Sequence, residues 1–171
     1  MEIVLSRCRL RPFREGDRGS IARYANNRRV WLNLRDAFPH PYTWSDADAW
    51  VRRVAGQAPP THLGIEVAGE VVGSIGLTLQ EDVHRRSAEI GYWLGEPFWG
   101  RGIMSEVVPA FTAYAFATFD LCRVYATVFE WNPASVRILE KAGYVLEGCL
   151  RKSVTKDGRT IDQLMYGCVR E

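Results

Sequence analysis

The chain has 171 residues, of which 47% are hydrophobic and 25% are charged, and its formal net charge is +2. These values are typical of one soluble globular domain, expected here over residues 1–171, and they give no reason to expect nucleic acid as a partner. No apolar run approaches the roughly 20 residues of a membrane span and the first residues lack the form of a signal peptide, so we expect a cytoplasmic protein without a membrane partner. The four cysteines have no Cys-x-x-Cys spacing, which predicts reduced, buried thiols.

The first third of the chain predicts one strand and two helices. Alternating apolar residues predict the strand, and Asp17 suits the N-cap of the first helix. Ser45, with Asp48 three residues later, resembles a capping box that opens the second helix. The predicted elements are a strand over 3–13, helices over 17–25 and 45–54, and an irregular, aromatic-rich segment over 26–44.

The remainder of the chain predicts further strands and two more helices. Apolar residues at helical spacing indicate a long helix after a glycine-containing turn, and Gly143 is a natural C-cap for a shorter one. The predicted strands cover 63–67, 71–79, 87–94, 123–129, 144–152 and 160–169, and the helices cover 103–118 and 132–142, the shorter one starting at Asn132 or Ala134. The resulting order, β-α-α-β-β-β-α-β-α-β-β, predicts an α/β protein with helices on a mixed sheet.

The most informative stretch is Trp99-Gly100-Arg101-Gly102-Ile103-Met104, which we call the glycine turn. It lies between a predicted strand and the long helix. Glycines can direct backbone N–H groups inward, and the first turn of a helix adds unpaired donors, so the turn suits a pyrophosphate. It lacks the Gly-Lys-Ser/Thr of a P-loop and the third glycine of a dinucleotide fingerprint. A plain strand–helix connection is the alternative.

The element order and the glycine turn together resemble the GNAT superfamily of acyl-CoA-dependent N-acyltransferases, whose phosphate motif is Gln/Arg-x-x-Gly-x-Gly/Ala. Trp99 and Met104 depart from that motif. Trp-Gly-x-Gly is frequent in its RimJ/RimL-like branch of ribosomal-protein N-terminal acetyltransferases. The resemblance implies a mostly antiparallel sheet of six to seven strands with about four helices. Other stretches that resemble this branch are residues 9–13, 88–94, 132–135, 139–144 and 147–148.

The resemblance implies acetyl-CoA as the cosubstrate, without a metal, in a cleft between strands 87–94 and 123–129. Backbone groups near Trp93 and Leu94 would pair with the pantetheine amides, and the N–H groups of the glycine turn would bind the pyrophosphate. Asn132 would hydrogen-bond the pantetheine arm, and a plain helix N-cap is its alternative role. The expected cofactor-binding residues are Trp93, Leu94, Trp99, Gly100, Arg101, Gly102, Ile103, Met104 and Asn132.

In this family the amine attacks the thioester directly. Glu89 is the candidate general base, acting directly or through water, and its alternative is a solvent-facing or arginine-paired carboxylate. Ser135 is the candidate general acid, because Leu139 occupies the position where many members have a tyrosine. As an alternative, Ser135 is simply a polar residue of the first helical turn. Tyr144 is expected in the core, and an acyl-cysteine at Cys122 is disfavoured because no histidine is an obvious partner.

The acceptor is the least specified part of the reaction. Trp31 and Trp44 are candidates to enclose it, with core packing as their alternative, whereas Trp50 is expected in the core. The resemblance favours the N-terminal α-amine of a protein, such as a ribosomal protein. A small amine (a polyamine, amino acid or antibiotic) and a non-catalytic acyl-CoA-binding module are the competing hypotheses. A homodimer is the oligomer that the resemblance suggests, although no interface can be identified from the sequence.

Overall fold

The computed structural model describes residues 1–170 and divides the chain into two compact units. The first unit comprises Met1–Gly76 and Tyr92–Val107. The second comprises Leu77–Gly91 and residues from Val108 onward. One domain over residues 1–171 stays a prediction.

Eight strands form the mixed, mostly antiparallel sheet that was expected, and five α-helices accompany it, which confirms the α/β class with slightly more elements than predicted. The strands are β1 (Ile3–Val4), β2 (Arg9–Arg11), β3 (His62–Val67), β4 (Glu70–Leu79), β5 (Ser87–Leu94), β6 (Arg123–Phe129), β7 (Val145–Lys156) and β8 (Arg159–Val169). The helices are α1 (Arg18–Ala25), α2 (Arg28–Trp31), α3 (Trp44–Val54), α4 (Ile103–Thr118) and α5 (Pro133–Lys141). Short 3₁₀ turns cover Glu15–Asp17, Asp82–His84 and Glu96–Phe98.

In the first unit, β1 to β4 pair antiparallel in chain order. The single strand predicted over 3–13 is wrong, because the backbone N–H of Leu5 donates to the carbonyl of Cys8 at 2.9 Å and folds the segment into a β1–β2 hairpin. The short helix α2 lies inside the segment predicted as irregular. Its N-cap, Asn27, accepts hydrogen bonds from the backbone N–H groups of Arg29 and Val30.

The capping box predicted at Ser45 and Asp48 is also wrong, by two residues. Thr43 is the N-cap of α3, and its hydroxyl accepts the backbone N–H of Asp46 at 3.2 Å. The Asp46 carboxylate accepts the Thr43 backbone N–H in return, at 2.7 Å. Asp48 instead forms an ion pair with Arg18 of α1, with 2.6 Å between the nearest atoms. The sequence offers two overlapping Ser/Thr–Asp pairs, and the tertiary partner of Asp48 decides between them.

A buried ionic cluster joins β2 to the start of α1. The Arg11 guanidinium, 3% exposed, donates to both carboxylate oxygens of Asp17 at 2.9 and 2.8 Å and also pairs with Glu66 of β3. Asp17 further accepts the backbone N–H of Arg14 at 2.7 Å. Asp17 is the N-cap residue of α1, as predicted, but its side chain forms no capping hydrogen bond to that helix and instead holds the chain between β2 and α1.

In the second unit, β5 pairs parallel with β6, β8 lies antiparallel beside β6, and β7 lies beside β8. The predicted hairpin is confirmed, with its first strand extended to Lys156 and its turn at residues 157–158. Helix α5 has Asn132 as its N-cap, and Gly143 follows it with φ +86, as a C-terminal cap requires. Three of the predicted elements, β5, α4 and β6, have the predicted bounds.

All four cysteines are free thiols, as expected, but only Cys8 is buried, whereas Cys149 is exposed. Burial raises the pKa of Cys8 to about 11, with a smaller contribution from the Glu106 charge. No helix within residues 1–170 combines the length and the apolarity that crossing a bilayer requires.

We expect Asp17→Ala to lower the free energy of unfolding by about 3 kcal/mol, because it leaves the buried Arg11 guanidinium with Glu66 as its remaining carboxylate. Urea unfolding measures this. The matched control is Glu15→Ala in the same turn, whose side chain is 86% exposed and whose loss should change stability by less than about 0.5 kcal/mol. Equal losses in the two variants would show that the buried cluster contributes no more to the free energy of unfolding than an exposed side chain does.

Candidate functional site

The glycine turn connects the end of β5 to the start of α4 through two residues in the left-handed region. Gly100 has φ +72 and Gly102 has φ +74. Helix α4 begins at Ile103, and the first N–H groups of a helix have no acceptor within the helix itself. The side chains of Ile103 and Met104 are buried, so these two residues can offer a ligand only their backbone groups.

Trp99 closes this connection through its side chain. Its indole Nε1 donates to the carbonyl oxygen of Leu94 at 2.6 Å, which links the last residue of β5 to the start of the turn. The Arg29 guanidinium lies 5.5 Å from the centre of the Trp99 ring. A glutamine or arginine could not supply the same ring surface, so the departure from the broad motif at this position has a structural reason.

A polar clamp from α2 holds the 3₁₀ turn that precedes Trp99. The side-chain amide of Asn27 donates to Glu96 at 2.7 Å, and the Arg29 guanidinium pairs with the other oxygen of the same carboxylate. These contacts lower the pKa of Glu96, the Asn27 hydrogen bond having the largest effect. Sequence reasoning missed this clamp, because its partners are 69 residues apart and α2 itself was not predicted.

A second clamp holds the other side of the turn. Glu106, in the first turns of α4, accepts hydrogen bonds from the hydroxyl of Ser6 at 2.5 Å and from its backbone N–H at 3.1 Å. Arg7 donates to the same carboxylate from its backbone and from its guanidinium. These contacts lower the pKa of Glu106, with the Ser6 hydrogen bond as the main cause. This pairing also had no local signal in the sequence.

Arg101, Trp93 and Leu94 differ in their exposure to solvent within the first unit. The Arg101 side chain is exposed, and its guanidinium lies 5.4 Å from the centre of the Phe98 ring. Trp93 is half-buried and packs edge-on against Phe38, with 5.8 Å between ring centres. Leu94 is buried, and its carbonyl already accepts the Trp99 indole.

The two acceptor candidates have different surroundings. The Trp31 ring is half-buried and lies 5.6 Å from His40, with the Arg28 guanidinium 5.9 Å from its centre. Trp44 is 57% exposed, and the Arg18 guanidinium lies 5.6 Å from its ring. An exposed indole beside a cation does not fill a core, so core packing is wrong for Trp44. Trp50 does pack against the core of this unit, as predicted.

In the second unit, the predicted base has a direct partner. The Thr127 hydroxyl of β6 donates to the half-buried Glu89 carboxylate of β5 at 2.8 Å. Tyr125 lies opposite Glu89 in the parallel register. Burial raises the pKa of Tyr125, and the Glu89 charge raises it further. Sequence reasoning missed Thr127. Its place beside Glu89 follows only from the β5–β6 register, because Thr127 lies two residues beyond Tyr125 on β6.

Asn132 and Ser135 lie together at the start of α5. The Asn132 side-chain oxygen accepts the backbone N–H of Ser135 at 3.3 Å, which is the N-cap role considered above. Ser135 is partly exposed in the first helical turn. Tyr144 is buried, and its hydroxyl shares a 2.8 Å hydrogen bond with Thr112, which confirms its predicted place in the core.

Two surface depressions of the second unit involve none of the predicted site residues. One, of about 760 Å³, lies around Cys149 and Asp162, and the other, of about 270 Å³, lies around Phe119 and Arg170. Both are partly open to solvent. Within residues 1–170, no group of three or more His, Cys, Asp or Glu side chains is arranged to hold a metal ion.

Comparison with known proteins gives one family. Residues 7–145 match the family described as an acetyltransferase (GNAT) domain. The uncharacterized N-acetyltransferase YoaA of Bacillus subtilis (strain 168) is 39% identical over 101 residues, which cover 59% of this chain and 56% of that protein. The ribosomal-protein-serine acetyltransferase of Escherichia coli (strain K12) is 33% identical over 84 residues, 49% of this chain and 46% of that protein. The matched regions thus span only about half the length of these relatives.

The fold has solved counterparts. RimL, a ribosomal alpha-N-protein acetyltransferase in complex with coenzyme A, has a TM-score of 0.84 to this chain. The match covers 98% of this chain and 96% of that one, at 22% sequence identity. At this identity the likeness is one of fold.

We expect Gly100→Ala and Gly102→Ala each to lower the free energy of unfolding by about 1–2 kcal/mol, since a left-handed φ is costly for a residue with a Cβ. At Gly100 an added Cβ would have no atom within 4 Å, so the loss there would be purely conformational. Gly16→Ala is the control: its Cβ would be equally uncrowded and its φ is not positive. Chemical denaturation of the three variants is the measurement, and a similar stability for Gly100→Ala and Gly16→Ala would contradict this expectation.

Proposed function

The chain belongs to the GNAT acetyltransferase family, and from this membership we propose that it transfers an acetyl group from acetyl-CoA to the N-terminal α-amine of a protein, such as a ribosomal protein. The observation that carries the proposal is the glycine turn, whose two left-handed residues lead directly into the first turn of α4. Unpaired N–H groups and the positive end of a helix dipole are what a pyrophosphate requires. The name of the Escherichia coli relative supports a protein acceptor.

The donor side of the reaction uses mainly backbone groups. The N–H groups from Gly100 to Met104 bind the pyrophosphate, and Arg101 supplies an exposed positive charge at the surface of the turn. Backbone groups of Trp93 and Leu94 pair with the pantetheine amides. Asn132 retains the N–H donors of its amide for the pantetheine arm, because its capping bond uses the side-chain oxygen.

The chemical step is a direct displacement. The neutral amine nitrogen attacks the thioester carbonyl carbon, the C–S bond breaks, and the sulfur leaves as a thiolate. Glu89 accepts the proton that the nitrogen loses, directly or through water. The Ser135 hydroxyl passes a proton to the sulfur, whose thiol has a reference pKa of about 8.5, as it takes one from solvent water in the same step. The products are the N-acetylated amine and free CoA.

An α-amine suits this set of residues. Its reference pKa is about 7.7–8.0, so a useful fraction is neutral near pH 7 and no strong base is required. The amine of a lysine or polyamine, with a pKa above about 10, is almost fully protonated at pH 7 and would require a much stronger base. A carboxylate that is oriented by a hydroxyl, as Glu89 is by Thr127, is adequate to accept the proton of an α-amine.

Two other functions make different predictions for the same assay. A small-amine acetyltransferase would release CoA with a polyamine, an amino acid or an antibiotic. A non-catalytic acyl-CoA-binding module would bind CoA and release no thiol with any amine. Two residues favour the module: Leu139, which occupies the position of the tyrosine found in many family members, and Met104, which departs from the broad phosphate motif.

We expect peptides with a free N-terminal serine or alanine to give thiol release from acetyl-CoA. The same peptides blocked at the N-terminus, and spermidine, should give at least about tenfold less at pH 7. The measurement is colorimetric detection of free CoA across the amine panel. Faster release with spermidine than with every free peptide would refute a protein N-terminus as the acceptor.

We expect Glu89→Gln to lower kcat by about tenfold to a hundredfold, because it removes the base yet keeps an oxygen for the Thr127 hydroxyl. The Kd for acetyl-CoA should stay within about twofold. Glu81→Gln is the control, since Glu81 is exposed in the loop before β5. Unchanged turnover of Glu89→Gln from about pH 6 to pH 9 would rule out the assignment.

A further inference from the structure

The hairpin between β1 and β2 lies against the glycine turn, although no sequence motif connects them. Its tip is formed by Ser6 and Arg7, and the N–H of Leu5 closes it on the carbonyl of Cys8. At the tip, the Arg7 Nε and Cζ atoms lie 3.5 and 3.7 Å from the position that a Cβ would take at Gly102. The guanidinium therefore lies directly beside the turn, at van der Waals distance from where a Cβ at Gly102 would be.

Glu106 fixes Arg7 in that place. The carboxylate accepts four hydrogen bonds from the hairpin tip: the backbone N–H groups of Ser6 and Arg7, the Ser6 hydroxyl and the Arg7 guanidinium. These hydrogen bonds stabilise the ionised carboxylate and lower the pKa of Glu106, so it remains a charged partner for the Arg7 guanidinium. The carboxylate consequently holds a cation beside the turn, and the charges of the two side chains balance each other.

The guanidinium retains donors for a ligand. Among the residues that the structure describes, its bonds to Glu106 and to the Ser6 hydroxyl both use Nη1. A guanidinium has five N–H donors, so those on Nε and Nη2 remain, and Nε is the atom nearest to Gly102. The planar fork of an arginine matches phosphate oxygens, and an arginine already held by a carboxylate loses little freedom on binding.

We propose that Arg7 binds the pyrophosphate of acetyl-CoA, with Glu106 as its positioning residue. This inference rests on the proposed function, and it adds the β1–β2 hairpin to the donor site. Arg101 is the arginine that the sequence pattern indicates, yet its guanidinium is exposed and lies over Phe98. Arg7 comes from outside the motif and is the arginine held against Gly102.

The test compares the affinities of CoA, 3′-dephospho-CoA and pantetheine, measured by calorimetry with competition for the weak ligand. Arg7→Gln should weaken CoA and 3′-dephospho-CoA by about tenfold, the usual effect of one charge-assisted hydrogen bond. Pantetheine, which has no phosphate, should bind as it does to the unchanged chain. Arg7→Lys should recover part of the loss, and the loss should shrink at high salt because the Arg7 side chain is 53% exposed.

Arg9→Gln is the matched control, since Arg9 belongs to the same hairpin and pairs with Glu2 at 3.3 Å. It should change all three affinities by less than about twofold. An equal loss of CoA and pantetheine in Arg7→Gln would mean that Arg7 only supports the hairpin, and an unchanged CoA affinity would also overturn the proposal. A loss confined to CoA, absent for 3′-dephospho-CoA, would refute the pyrophosphate as its partner. If the unchanged chain binds no CoA, the proposed function itself fails, which is a separate outcome.

Discussion

The donor site depends on one backbone constraint, the left-handed conformation of Gly100 and Gly102 between β5 and α4. A chain that leaves a strand and enters a helix within a few residues must reverse direction while its N–H groups stay accessible. Three contacts maintain this geometry from different sides: the Trp99 indole on Leu94, the α2 clamp on Glu96, and the hairpin clamp on Glu106. The turn is thus shaped before any ligand arrives, which lowers the entropy cost of binding.

Both clamps place an arginine beside the turn and use a carboxylate to hold it. Arg29 pairs with Glu96 and lies over Trp99, while Arg7 pairs with Glu106 and lies against Gly102. Each pair brings one positive and one negative charge, so the positive potential at the turn comes from the N-terminus of α4 and its first N–H groups. This explains how a chain with a formal net charge of only +2 can have a specific anion site.

Local sequence patterns predicted the strand, the glycine turn and the helix of the donor site. Long-range contacts determined the features that have no local pattern, such as the partners of the carboxylates. Helix α4 has its predicted bounds because its apolar residues repeat at helical spacing after a glycine turn. The β1–β2 hairpin was missed because its tip, Ser6-Arg7, contains no glycine, proline or asparagine to indicate a turn, and only the Leu5–Cys8 hydrogen bond reveals the reversal. The partners of Glu106 and Glu89 were not predictable, since Ser6 is 100 residues from Glu106 and Thr127 is 38 from Glu89. The residues of the donor turn were therefore identifiable from the sequence, whereas the side chains that hold them were not.

A crystal structure of this chain grown with CoA tests the central claim most directly. The account predicts pyrophosphate oxygens at about 3 Å from the backbone nitrogens of Gly100 to Met104, with the Arg7 guanidinium on the same group. Electron density for the pyrophosphate away from the glycine turn, or a bound CoA whose phosphates contact only solvent-exposed lysines and arginines elsewhere, would contradict it.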